Sequence, residues 1–235
     1  MDVTITAEVE IRNTERLPLE KRDTYGKAFL QIKNLWTTSE AVREVVFCKR
    51  LAQLATELME VDGVRMYHDQ ALYKEPSGGF TPWHADQYYW PLATDKCITL
   101  WAPLQSTPLE WGPIEFSAQS NRLLKGRHMK ISDESQQLLN DELAREGFKH
   151  VVEPFDSGEV SFHAGWLYHR AGPNKSGRMR KAMTIIYMDK DMKLKEPEHE
   201  DQVLDRDVWC SGAKVGEVID TPLNPVLYEK MFHTA

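Results

Sequence analysis

The stretch GEVSFHAGWLYHRAGPNKSGRMRKAMTIIYMD, residues 158–189, decides how the rest of this 235-residue chain is read. Its two ends, EVSFHAGW from Glu159 and RKAMTIIYMD from Arg180, are short and rich in β-branched and aromatic residues, and a Gly/Pro turn parts them. Both are expected to be strands. Alternate side chains of an extended chain share a face, so Arg180, Ala182, Thr184 and Ile186 fall together. An arginine aimed into a core is costly unless a carboxylate meets it, and its planar fork suits one. His163 and His169 stand at the end of the first strand and in the turn after it.

Working outward, VRMYHDQALYK from Val64, KCITLWAPL from Lys96 and GPIEFSA from Gly112 have the same strand character, which points to a β-sandwich or closed barrel. A helix is expected from a capping box of Thr37 and Glu40, with Phe47, Leu51, Leu54 and Leu58 as its apolar stripe and Gly63 as its stop. A second helix fits residues 132–148. Residues 1–25 are polar and turn-rich and are expected to be irregular. Residues 189–207 are charge-dense without apolar period and are expected to form a solvated surface loop. Nothing divides the chain, so 1–235 is read as a single domain.

Composition narrows the function. The 29 Lys and Arg against 36 Asp and Glu leave a net charge of -7, with no concentrated positive face for nucleic acid. No run approaches a membrane span, and the start MDVTITAEVE has neither a basic n-region nor an apolar core. Cys48, Cys97 and Cys210 are odd in number and widely spaced, as free thiols in a reducing compartment are. These features lead to the expectation of a cytoplasmic protein acting on a small molecule, with neither nucleic acid nor membrane as partner.

TPWHADQYYW, residues 81–90, adds chemistry. On an extended strand His84 and Asp86 project to one side, giving an imidazole and a carboxylate to a divalent metal. With a further histidine, His163 or His169, they make a two-histidine, one-carboxylate set that leaves open positions on iron. H-x-D alone is common, since HED at His199–Asp201 repeats it; that copy, inside the charged stretch, is read as solvated. The same alternation makes Trp83 a packing residue and Tyr88 a pocket residue.

The order of these motifs, KEPSGGFTPWHADQYYW (74–90), then a strand ending at Trp101, then residues 158–187, resembles the phytanoyl-CoA dioxygenase family of iron(II)/2-oxoglutarate oxygenases. The resemblance implies a mainly β fold with flanking helices around a double-stranded β-helix, the jelly-roll or cupin-like core. It implies Fe(II) on His84, Asp86 and His169, and 2-oxoglutarate as co-substrate with Arg180, not Arg178, on its far carboxylate. Trp101 would flank that co-substrate, and dioxygen would be the oxidant. His68 and Gln70, on one face with Lys74, are candidates to hydrogen-bond 2-oxoglutarate. Tyr88, His163, Trp166 and Lys74 are candidates to contact substrate. The retained carboxylate at Asp86 disfavours halogenation.

The implied reaction is oxidation, by default hydroxylation, of a C–H bond in a small organic molecule, with release of succinate and CO2; desaturation and ring rearrangement use the same site. Tyr88, Tyr89, Trp90, Trp111 and Trp166 suggest an amphipathic or ring-bearing substrate of specialised metabolism. Two other readings stand beside it. A hydrolase would use the triad to hold zinc and an activated water, but leaves Arg180 unexplained. A non-catalytic metal-binding or sensing module would keep the ligands without turnover.

Overall fold

The computed structural model describes residues 18–231. Its strands are β1 (Leu30–Lys33), β2 (Gly63–Lys74), β3 (Thr81–His84), β4 (Cys97–Pro103), β5 (Ile114–Ser117), β6 (His150–Val152), β7 (Ser161–Ala164), β8 (His169–Ala171), β9 (Arg180–Asp189) and β10 (Val226–Glu229). Its helices are α1 (Thr24–Ala28), α2 (Glu40–Val46), α3 (Lys49–Met59), α4 (Asp133–Arg145) and α5 (Glu200–Trp209). The larger sheet runs β1-β2-β9-β4-β7, with β10 also paired to β2, and the smaller runs β3-β8-β5-β6. All strand pairs are antiparallel. Two such sheets folded over one interior form the jelly roll, or double-stranded β-helix.

Strand β2 carries the device that orients the interior. A bulge between Met66 and His68 shifts its register on β9. Before it, Met66 pairs with Tyr187; beyond it, His68, Gln70, Leu72 and Lys74 pair with Ile186, Thr184, Ala182 and Arg180. The extra residue changes the phase of alternation. Met66 therefore joins Ile98, Leu100 and Ile185 under the helices, while His68 and Gln70 turn into the cavity between the sheets.

The helical cover departs from the expected single helix. Ser39, rather than Thr37, caps α2 by accepting from Val42 N, and the chain breaks at Phe47–Cys48 before α3 begins. Leu54 and Leu58 are exposed, and the buried face of α3 is Ala52, Ala55, Thr56 and Met59. Small side chains let the helix lie close to the sheet, so the larger leucines no longer mark the inward stripe. Helix α4 follows the expected span closely, with Ser132 and Ser135 forming a reciprocal cap.

Two other expectations are corrected. The stretch 189–207 is a strand end followed by α5, whose buried residues are Gln202, Asp205 and Trp209. Two of these three are polar, which is why the apolar period is missing. In the segment expected to be irregular, residues 1–17 lie outside the described ones, and Leu19–Lys21 and α1 form two short helical turns. No helix among the described residues is long and apolar enough to cross a membrane.

Asp69 illustrates how the sheet holds its connections. Its Oδ2 accepts from Leu35 N at 3.2 Å, tying β2 to the turn that leads into α2. Burial pushes this carboxyl up to about 7 against the backbone N–H groups of Trp36 and Leu35 that favour its charged form. The folded state thus keeps a proton that the unfolded chain releases near the ordinary carboxylate value, so the contribution of Asp69 to stability is greatest at low pH and is lost as pH rises through about 7. Asp69→Asn is expected to remove that slope: wild-type Tm falls from pH 5 to pH 8 by several degrees more than that of the variant. Parallel slopes in thermal melts would refute it.

Candidate metal centre

His84 ends β3 and His169 begins β8, and the two are partners across the smaller sheet, with ring centroids 4.1 Å apart. Helix α4 fixes β3 from outside. Trp83 N donates to Gln136 Oε1 at 2.8 Å, and Ser135 Oγ donates to Trp83 O at 3.3 Å. Trp83 itself packs with Leu139 and Tyr168.

The strand stops at His84, yet Asp86 still faces the same way. Ala85 remains extended, at φ -120 and ψ 129, and a single 3-10 turn, Asp86–Tyr89, begins only at the aspartate. Gln87 anchors that turn from within the protein: its N donates to Gly165 O at 3.0 Å and its Nε2 to Thr94 O at 2.8 Å. A Cβ at Gly165 would stand 2.8 Å from Gln87 Oε1 and 2.7 Å from Cys97 Sγ, so glycine permits the approach.

One oxygen of Asp86 is held by the protein and the other faces the histidines. Thr99 Oγ1 donates to Oδ2 at 3.0 Å, and His163 Nε2 lies 3.3 Å from the same atom. Oδ1 lies 3.6 Å from both His84 Nε2 and His169 Nε2. The Nδ1 atoms of His84 and His169 meet the carbonyls of Pro82 and Leu167 at 2.8 and 3.0 Å. With Nδ1–H donating to a carbonyl, Nε2 keeps a lone pair, the arrangement by which backbone partners orient metal-ligating imidazoles. His84, Asp86 and His169 place one ligand atom each within 4.8 Å of one another.

The electrostatics suit a cation. Burial raises the Asp86 carboxyl, but the three imidazoles around it, His169 first and then His163 and His84, outweigh that and hold the group well below the usual carboxylate range. Burial, then the neighbouring His84, pushes the His169 imidazole well below its ordinary value despite the pull of Asp86. A neutral imidazole beside an ionised carboxylate is the protonation state that metal binding requires.

Above this cluster opens a cavity of about 300 Å³, lined by His68, Gln70, Trp101, His163 and Arg180 as well as the three clustered residues. Arg180 is 2 % exposed, and its Nε and Nη1 have no hydrogen-bond partner among the described residues. Burial lowers the guanidinium to about 10, still charged at neutral pH. Its carbon lies 5.7 Å from the Trp101 ring centroid. A buried, unpartnered cation facing a cavity is a receptor for an anion. Arg178, by contrast, is exposed.

Three of the expected contacts fall elsewhere. The 3-10 turn swings Tyr88 out of this cavity, and its ring stacks on His199 at 4.3 Å and 13°. Trp166 packs beside Leu139 with the Arg127 guanidinium 4.5 Å over its ring, off the cavity wall. Lys74 is fully buried at the last rung of the β2–β9 ladder, opposite Arg180, and donates to Gly79 O at 2.5 Å and Thr81 Oγ1 at 3.5 Å. Burial, then the charge of Arg180, pushes its ammonium well below the usual range, with Glu115 pulling the other way.

Other wall residues were not singled out from sequence. Thr99 sits on β4 two positions before Trp101, and alternation places both inward. Tyr25 is the last residue of the segment expected to be irregular and Phe29 follows just after it, while Asp201, Leu204 and Asp205 come from the stretch expected to be a loop. The second H-x-D, His199–Asp201, is therefore part of the structure around the cavity rather than a solvated copy.

Known proteins agree with this architecture. The curated "Probable alpha-ketoglutarate-dependent hypophosphite dioxygenase" of Stutzerimonas stutzeri is 22% identical over 179 residues, which make up 73% of this chain. The match spans 61% of that protein's length, less than two thirds of it. Among solved structures, the non-heme alpha ketoglutarate dependent carbocyclase SnoK from nogalamycin biosynthesis superposes with a TM-score of 0.70 at 24% identity, covering 85% of this chain and 76% of that one. The epimerase SnoN, in complex with Fe3+, alpha ketoglutarate and nogalamycin RO, gives 0.72 at 22% identity, covering 86% and 79%. At these identities the structural likeness speaks to the fold. The profile of the family described as phytanoyl-CoA dioxygenase (PhyH) matches residues 4–182, a span that holds His84, Asp86, His169 and Arg180. The chain belongs to the phytanoyl-CoA dioxygenase family.

Proposed function

We propose that this protein is an Fe(II)- and 2-oxoglutarate-dependent oxygenase that oxidises a small organic molecule, with hydroxylation as its default outcome. The observation that carries the reading is one cavity holding both a His-Asp-His cluster and a buried arginine with two unpartnered nitrogens. A hydrolytic zinc site leaves that arginine without a task.

His84 Nε2, Asp86 Oδ1 and His169 Nε2 would hold the iron. Iron with 2-oxoglutarate and dioxygen supplies a two-electron oxidant, releasing succinate and CO2. The chain's own residues place the reactants. Arg180 would receive the far carboxylate, with Trp101 beside it and with Gln70, which Gln31 holds by a hydrogen bond, on the cavity wall. His163 and Thr99 hold Asp86 Oδ2, so the aspartate offers Oδ1 alone. Substrate would enter beside Tyr89, Trp90 and Leu204, and the cavity size limits it to a small molecule or one end of a larger one. Cys48, Cys97 and Cys210 are all free, consistent with a reducing compartment such as the cytoplasm.

Anaerobic addition of Fe(II) and 2-oxoglutarate to the purified protein is expected to produce the weak visible metal-to-ligand charge-transfer band, and admission of air to yield succinate. Absence of both would overturn the proposal.

A further inference from the structure

Helix α5 lies beyond the residues that match the family profile, yet it is fastened at both ends to the candidate site. At its start, His199 Nε2 and Gln202 Nε2 both meet Tyr88 O, at 3.1 and 3.0 Å. The Tyr88 ring stacks on His199, and its hydroxyl donates to Asp201 at 3.2 Å. Gln202 is buried and spans two attachments, since its Oε1 also accepts from Glu198 N at 3.0 Å. At the far end, Trp209 lies against the His68 ring with centroids 4.7 Å apart. Between these points Asp201, Leu204 and Asp205 face the cavity.

Tyr88 stands two residues after Asp86, inside the same 3-10 turn, and its N donates to Ala85 O at 3.3 Å. One isolated turn of 3-10 helix has little stability of its own, because few hydrogen bonds offset the order that it demands. A carbonyl that accepts two donors has its peptide plane fixed, and the order missing from the turn is supplied by α5. Gln87 performs the same service from the opposite side.

We infer that His199 and Gln202 are positioning residues that set Asp86 through the Tyr88 carbonyl, so that α5 joins the wall touched by substrate to the geometry of the metal. The inference rests on the proposed reading of Asp86 as a metal ligand. It gives Tyr88 a mechanical task in place of the substrate contact expected from strand alternation.

The test is Mn(II) binding, followed by electron paramagnetic resonance, together with thermal melts. Replacing both donors, His199→Phe with Gln202→Met, is expected to weaken Mn(II) binding by at least about tenfold, the scale on which groups behind metal ligands act. Tyr88→Phe keeps both bonds to the carbonyl and is expected to bind Mn(II) as the wild type does. A double variant with lowered Tm but wild-type Mn(II) affinity would overturn the inference, since a purely structural helix behaves that way. Where the double variant does not fold, His199→Phe alone, which keeps the stacked ring, is expected to bind Mn(II) several-fold more weakly, and wild-type affinity there overturns it equally. Failure of the wild type itself to bind Mn(II) would overturn the metal reading and this inference with it.

Discussion

Arg180→Met is expected to raise the dissociation constant for 2-oxoglutarate by at least about 100-fold, whereas Arg178→Ala leaves it within about twofold. The size follows from losing two charge-assisted hydrogen bonds in a site closed to water, each contributing about 1.5–3 kcal/mol. Arg178 lies two residues earlier, in the bend ahead of β9, and is exposed. The same substitution carries a second, opposite signature. The Arg180 guanidinium is buried, with two nitrogens unpartnered among the described residues and Lys74 across the ladder. Removing an uncompensated buried charge while filling its space is expected to leave the ligand-free Tm unchanged or higher. Titration of 2-oxoglutarate against the charge-transfer band, with melts in its absence, measures both. Equal effects of the two arginine variants would refute the assignment.

Asp86→Ala and His169→Ala are each expected to abolish metal binding and to reduce succinate formation to background, while His163→Ala weakens metal binding by about 10- to 100-fold without abolishing it. The difference comes from which oxygen of Asp86 each histidine meets. His169 Nε2 shares Oδ1 with His84, whereas His163 Nε2 meets Oδ2, the oxygen that Thr99 also holds. Losing a ligand removes the site; losing His163 frees the carboxylate to rotate. Equilibrium metal binding with succinate assays checks all three, and a His163→Ala variant as inert as His169→Ala would count His163 among the ligands.

Much of the cluster was legible because strand alternation is a strong constraint. His84 and Asp86 share a side as expected, although the strand ends between them, because extension persists through Ala85. Arg180 and Thr184 point inward for the same reason, and the bulge in β2 adjusts phase so that His68 and Gln70 join them. Alternation misleads at Tyr88, where the backbone has turned into a 3-10 helix and a period of two no longer applies. It is silent about Trp166, which sits in a turn.

The helices were harder to read. α5 hides because its inward face carries Gln202 and Asp205, polar residues that the cavity and Tyr88 require there. α3 misleads in the opposite sense: Leu54 and Leu58 face out because alanine allows close packing on the sheet. Patterns of hydrophobicity find helices that cover a core. They miss one that borders a polar cavity.

The rung that joins Lys74 to Arg180 has a consequence for how a reaction cycle would end. Oxidative loss of CO2 removes atoms at the keto acid end of 2-oxoglutarate and leaves the far carboxylate untouched. If Arg180 receives that carboxylate, succinate would present to it the same group as the co-substrate. On the proposed reading, Arg180 would hold the far carboxylate of either molecule, and the metal end would tell them apart. Product release, rather than oxidation, would then be the brake on turnover, and a rising succinate to 2-oxoglutarate ratio would slow the proposed reaction through the contact that recruits its co-substrate.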